Sequence, residues 1–164
     1  MIAKIYITGQ IGSSYDDNGN ISVKGVELID IVEQVLASGE VERTDIVINS
    51  GGGYVEVGNA IAEFVSSIPN CYTIATEECS SIATKVHLAV PLTNRKAVAG
   101  VKYLIHNPFF QNISGDSATL KNASEIILED EKQLIDTYVK ATGVDKSAIS
   151  ALMSIETSLT SDQL

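Results

Sequence analysis

The feature that most constrains this chain is a short apolar run that ends in three glycines. Asp45 to Asn49 (DIVIN) is too short for a helix and rich in β-branched residues, so it reads as a buried strand. It runs into Ser50-Gly51-Gly52-Gly53 and then a helical stripe, Val57, Ala60, Ile61, Phe64, Val65 and Ile68, which Pro69 stops. Strand, glycine turn and helix in direct succession form the βα unit of an α/β fold.

The rest of the chain repeats that alternation. Lys4 to Ile11 is a first strand with Ile5, Ile7 and Ile11 on one side, and Ser13 to Asn20 (SSYDDNGN) is a polar loop. Val26 to Leu36 has Leu28, Ile29, Val32, Val35 and Leu36 at helical spacing, closed by Gly39. Cys71 to Ala75 is a strand, Ser80 to Val90 a helix, and Ala97–Ala99 and Lys102–Ile105 are short strands. Ser117 to Lys140 is a long helix closed by Gly143, and Asp145 to Ser154 a short one. With no repeat or linker, residues 1–164 read as one domain.

Composition removes several classes of function. The 164 residues carry 11 basic and 21 acidic side chains, a net charge of −10, which argues against nucleic acid and anionic membranes as partners. No apolar run approaches a membrane span, and the N-terminus is too short and too alternating for a signal peptide. Cys71 and Cys79 lack a zinc spacing and read as buried small hydrophobes in a reducing compartment. There is no glycine-lysine phosphate loop, no GxGxxG and no HExxH, so no cofactor or metal is expected.

Three segments stand where function sits in such folds, beyond a strand end or at a helix start. The Gly51–Gly53 turn offers backbone N–H groups to an anion or oxyanion, or is simply a tight turn. Ser80 and Ser81 open a helix, where a serine is either a nucleophile near the positive helix end or an N-cap. His106, in Ile105-His106-Asn107-Pro108, ends a strand and has the chemistry of a general base. His87, the only other histidine, falls inside a helix and reads as partly buried or on the surface.

In this order the three segments resemble the Clp protease proteolytic subunit (ClpP) and its phage-borne relatives. That family shows a strand entering N-S-P-G-G, an A-S-M-type nucleophile, and an I-H-x-P histidine about 25 residues later; here the interval from Ser81 to His106 is 25. Gly58-Asn59-Ala60-Ile61, Arg95 and Thr142-Gly143 fit the same register. The resemblance implies an α/β, ClpP/crotonase-like fold of repeated ββα units with a long handle helix. It implies a serine peptidase with Ser81 as nucleophile, His106 as base and Glu156 as orienting acid, Asp145 and Asp162 being the fallback acids. The oxyanion hole would be the N–H groups of Gly53 and Ile82.

The chain also departs from that pattern. Gly51 replaces a proline, Glu77 a glycine and Ser80 an alanine, and Phe109-Phe110 replace a glycine pair. A G-L-[VI]-D ending is absent, which suggests a truncated C-terminus. The first strand begins near Lys4, leaving no room for the axial segment of housekeeping subunits. The resemblance is therefore to phage or prophage forms, which implies capsid or scaffold proteins as substrates in a bacterial host cytoplasm. It further implies a homo-oligomeric ring built through the long helix, with an ATPase unfoldase a less favoured partner. The competing readings are a degradative Clp peptidase, an acyl-CoA enzyme of the crotonase type, and an inactive assembly subunit.

Overall fold

The structure, a computed structural model, describes residues 1–163. The chain divides into two compact units, Met1–Leu104 together with the tail from Ser158, and Ile105–Thr157.

The first unit is built on a sheet of six strands: β1 (Ile2–Thr8), β4 (Arg43–Ser50), β5 (Cys71–Ser80), β6 (Arg95–Ala97), β7 (Lys102–Ile105) and β8 (Thr157–Leu159). The order is β1-β4-β5-β7-β8, with β6 also pairing β5. β1, β4 and β5 are parallel and in register, so that Ile5 lies beside Ile46, Ile7 beside Ile48, and Ile48 beside Ala75. These residues are fully buried, and each isoleucine contributes roughly 1.5–3 kcal/mol by leaving water. Three helices connect the strands: α1 (Leu28–Ala37), α2 (Val55–Ser67) and α3 (Ile82–His87).

The element order follows the sequence, and several boundaries do not. β1 stops at Thr8 because Gly9 turns at φ 85, yet Ile11 is still buried, bridging Val26 and Gly53. The polar loop at Ser13–Asn20 closes as a small hairpin, with β2 (Ser14–Tyr15) paired to β3 (Ile21–Val23) and Asp16 accepting from the Asn18 and Asn20 N–H groups. In α1 the inward residue is Ile31, while Ile29 and Leu36 are exposed. The Glu27 N–H donates to Asp30 Oδ2 at 2.8 Å, and this cap sets the helix start at Leu28.

The largest correction concerns β5, which runs to Ser80 instead of ending at Ala75. Its polar second half pairs with β7, matching Glu78 to Lys102, Cys79 to Tyr103 and Ser80 to Leu104. α3 therefore begins at Ile82, not Ser80. β6 lies at Arg95–Ala97 rather than 97–99, and pairs with Thr73–Ala75. His87 is neither partly buried nor on the surface, being only 4% exposed.

The second unit holds α4 (Ser117–Thr142) and α5 (Lys146–Ser154). Asp116 caps α4 by accepting from the Thr119 N–H at 2.9 Å, and Gly143 ends it at φ 74. The C-terminal half of α4 buries Leu134, Ile135 and Tyr138, and α5 buries Ile149 and Met153.

Two expected outcomes follow from the packing of the first unit. A Cβ on Gly58 of α2 would stand 2.2 Å from Ile82 Cγ1 and 3.2 Å from its Cβ, so α2 approaches α3 at a point where only glycine fits. Alanine in a helix gains about 1 kcal/mol over glycine, whereas overpacking costs about 1–3 kcal/mol. Gly58→Ala should thus lower stability in urea melts, and a gain would show that Ile82 yields. The second outcome concerns His87. Burial, helped by the Arg95 charge, holds its pKa down to about 4 from the usual 6.5. The unfolded chain then binds the proton more readily, so stability is full above pH 6.5 and is lost as pH falls towards 4. The loss is about 3 kcal/mol at one histidine. Melts between those pH values should show it, and His87→Leu should flatten the dependence.

Candidate active site

Ser81 is the single residue between β5 and α3. It stands at φ 55 and ψ −132, outside the regions a non-glycine residue normally occupies. Such a conformation costs of order 1–3 kcal/mol and persists only where the surroundings impose it. Here its N–H donates to the Leu104 carbonyl at 2.7 Å, while Ser80 before it is locked in the sheet. Ser81 holds the N-cap position of α3, but its side chain makes no capping hydrogen bond to the helix. Strand, strained serine and helix in sequence form a sharp elbow, a geometry suited to displaying a nucleophile. Ser80 is 3% exposed and Ser81 partly exposed, so of the two hydroxyls Ser81 is the accessible one.

The glycine turn comes against this elbow. Gly52 has φ 98, and a Cβ there would stand 2.5 Å from Ser81 Cβ and 3.1 Å from its Oγ. Gly53 has φ 153, and a Cβ there would fall 2.0 Å from the Ile11 carbonyl oxygen. Both positions thus exclude any side chain. The Gly52 N–H donates to Ser50 Oγ at 3.1 Å. The N–H groups of Gly53 and of Ile82, at the start of α3, have no partner among the described residues. Of the acids here, Glu77 is exposed on β5, and Glu78 is the one whose carboxylate lies beside Gly51. Cys79, two residues before Ser81, is buried with its thiol on the Ala83 carbonyl at 3.4 Å. Burial pushes that thiol's pKa well up, so it stays protonated. Cys71 is likewise buried and free, its pKa raised to about 11.

The second unit carries His106 and Glu156. His106 is partly exposed, its ring centroid 5.6 Å from that of Phe109, and Nδ1 lies 2.7 Å from the Asn107 carbonyl oxygen. A carbonyl only accepts, so this contact puts the ring proton on Nδ1 and leaves Nε2 as the acceptor, the form a base requires. The Asn107 N–H donates to the Met153 carbonyl at 3.2 Å, and the Glu156 N–H donates to the same oxygen at 3.3 Å. The backbones next to His106 and at Glu156 therefore meet at the end of α5. Glu156 is exposed and stands at φ 52. Asp145 is used otherwise, accepting from the Ser147 N–H at 2.8 Å as the N-cap of α5. Asp162 is exposed in the tail. Sequence reasoning did not find Tyr103, whose hydroxyl reaches His87 beneath α3. Among the described residues there is no metal-binding cluster of acids, histidines or cysteines, and no helix is long and apolar enough to cross a membrane.

Comparison with known proteins identifies the family and the fold. The model of the Clp protease family matches residues 23–163. The ATP-dependent Clp protease proteolytic subunit 1 of Chlamydia abortus is 28% identical over 119 residues, covering 71% of this chain and 62% of that protein. Subunit 3 of Rhizobium meliloti is 28% identical over 120 residues, covering 69% of this chain and 59% of that protein. The chain thus spans about three fifths of the curated relatives it matches. A mutant ClpP1 from Listeria monocytogenes superposes over 98% of this chain and 84% of that one, with a TM-score of 0.78 at 22% identity, so the fold is ClpP-like. On the family match and the shared fold, this chain belongs to the Clp protease family, whose members are serine peptidases.

Proposed function

We propose that this chain is a serine peptidase in which Ser81 is the nucleophile, His106 the general base and Glu156 the supporting acid. The observation that carries this reading is the elbow: an accessible serine at φ 55, with two N–H groups, those of Gly53 and Ile82, that have no partner among the described residues. Attack by Ser81 Oγ on a peptide carbonyl turns the carbonyl oxygen into an oxyanion. The two N–H groups are the donors for that charge, and removing one such donor typically costs about 10²–10³ in rate. His106 Nε2 accepts the hydroxyl proton and returns it to the leaving amine, giving an acyl-enzyme that water then hydrolyses. The contact of His106 Nδ1 with the Asn107 carbonyl already selects the working tautomer. Glu156 then adds stabilisation of the imidazolium rather than selecting the tautomer.

The substrates are polypeptides, and the relatives favour degradation alongside an ATPase, since they are named as ATP-dependent subunits. The narrower expectation of phage capsid or scaffold processing finds no counterpart among those bacterial subunits. The same names fit assembly from copies of this chain. On α4, Leu120, Ile126 and Leu128 are exposed while Leu134, Ile135 and Tyr138 are buried in their own unit. Exposed apolar side chains of this size are costly in water and suit contact with a second copy.

Labelling by a fluorophosphonate tests the chemistry. Ser81→Ala should abolish it and Ser80→Ala should not; the reverse result would move the nucleophile by one residue. His106→Ala should lower peptide turnover by about 10²–10⁴, and Glu156→Gln by less. Wild-type turnover in Glu156→Gln would remove that residue from the site. For assembly, the double variant Ile126→Asp, Leu128→Asp should dissociate the oligomer in light scattering without unfolding it. A monomeric unmutated chain at tens of micromolar would contradict the assembly proposal.

A further inference from the structure

α3 is only six residues long, too short to hold itself straight without external support. Ser81 stands at its start and His87 at its end, and both ends are tied to β7. At the start, the Ser81 N–H donates to the Leu104 carbonyl at 2.7 Å. At the end, the Tyr103 hydroxyl, from the preceding residue of β7, lies 3.4 Å from His87 Nε2, with the ring centroids 5.8 Å apart. Both side chains are buried, Tyr103 at 2% and His87 at 4% exposure. His87 Nδ1 is buried with no partner among the described residues, so Tyr103 is the polar anchor of the imidazole. Neighbouring groups fasten the same helix end to the sheet. Thr73 Oγ1 donates to the His87 carbonyl at 2.8 Å, and the Arg95 guanidinium donates to the carbonyls of Leu88 at 3.2 Å and Val90 at 2.8 Å.

We propose that Tyr103 and His87 form a buried clasp that positions Ser81, fixing the angle at which the elbow presents its hydroxyl. This rests on the reading of Ser81 as nucleophile. Neither residue touches the reacting atoms; both act through α3. The strained backbone at Ser81 needs restraint on both sides. The sheet supplies it on the β5 side, through the pairing of Ser80 with Leu104. On the other side the restraint is the orientation of α3, which the clasp holds at its far end. Without it that end of α3 keeps only the backbone ties to Thr73 and Arg95, and the helix orientation loosens about the elbow. A displacement of about 1 Å at a nucleophile can cost a hundredfold in rate.

The test separates positioning from plain core stability. Three variants are compared, Tyr103→Phe, His87→Leu and the two combined. The measurements are urea stability, the rate of Ser81 labelling by a fluorophosphonate, and hydrogen exchange at the Ser81 amide. Each single variant leaves a buried polar group unpaired and should lose stability, whereas the combined variant leaves none and should regain it. Labelling should be slowed at least about tenfold in all three, and exchange at Ser81 should be faster in all three. His87→Gln, whose carbonyl can accept from Tyr103, should recover part of the labelling rate. Labelling and exchange that return to wild-type values in the combined variant would overturn the proposal, since both would then only follow stability. So would wild-type values in Tyr103→Phe, the variant that preserves shape and folding. If the unmutated protein is not labelled at Ser81, the peptidase reading fails, and the Ser81 amide exchange still decides whether the clasp exists.

Discussion

A strand and a helix joined through one residue must make their whole change of direction at that residue. β5 ends at Ser80, held by its pairing with Leu104, and α3 begins at Ile82, packed where Gly58 has no side chain. Ser81 is left to absorb the turn at φ 55. The neighbourhood follows from that constraint. Gly52 must lack a side chain because the elbow occupies its Cβ position, and Gly53 must lack one because the Ile11 carbonyl does. Ile11 in turn is held by its N–H to the Gly52 carbonyl and by accepting from the Tyr54 N–H, each at 2.9 Å. The strain is sustained by a buried parallel sheet and by the short helix fastened to it, which is how a fold supports a functional conformation it would not otherwise favour.

The second unit solves a different problem, that of fixing a loop histidine and an acid far apart in sequence. It does so with one carbonyl. Met153, at the end of α5, accepts from the N–H groups of both Asn107 and Glu156. α5 is therefore more than a return segment after α4. Its capping by Asp145 and its buried face of Ile149 and Met153 set where that carbonyl stands. Asp145 is thereby committed to the helix terminus, while the Glu156 backbone meets the backbone next to His106 at that carbonyl.

The sequence made legible those elements whose partners impose a period on the side chains. β1 alternates because one face is buried, α2 carries its apolar stripe, and the caps Asp116, Gly143 and Asp145 mark their helices. The assignment of Gly53, Ser81 and His106 to one site comes from the Clp resemblance, since each residue alone has a common structural use. What stayed hidden depends on pairing between distant segments. The Thr76–Ser80 half of β5 is polar and shows no alternation; the pairing of Glu78–Ser80 with β7, and of Cys79 with Ser50 of β4, makes it a strand. The burial of His87 beside Tyr103 requires knowing that α3 lies over β7. The Asn107 carbonyl at His106 Nδ1 is a local backbone choice with no sequence signature.

We propose that Ser81 attacks while the N–H groups of Gly53 and Ile82 receive the developing charge. A crystal structure of the protein treated with a peptide boronic acid tests it most directly, because a tetrahedral boronate mimics the intermediate. Boron should be bonded to Ser81 Oγ, with one boronate oxygen within about 3 Å of both N–H groups. Boron bonded to another residue, or an adduct on Ser81 whose oxygens both turn away from Gly53 and Ile82, would contradict it.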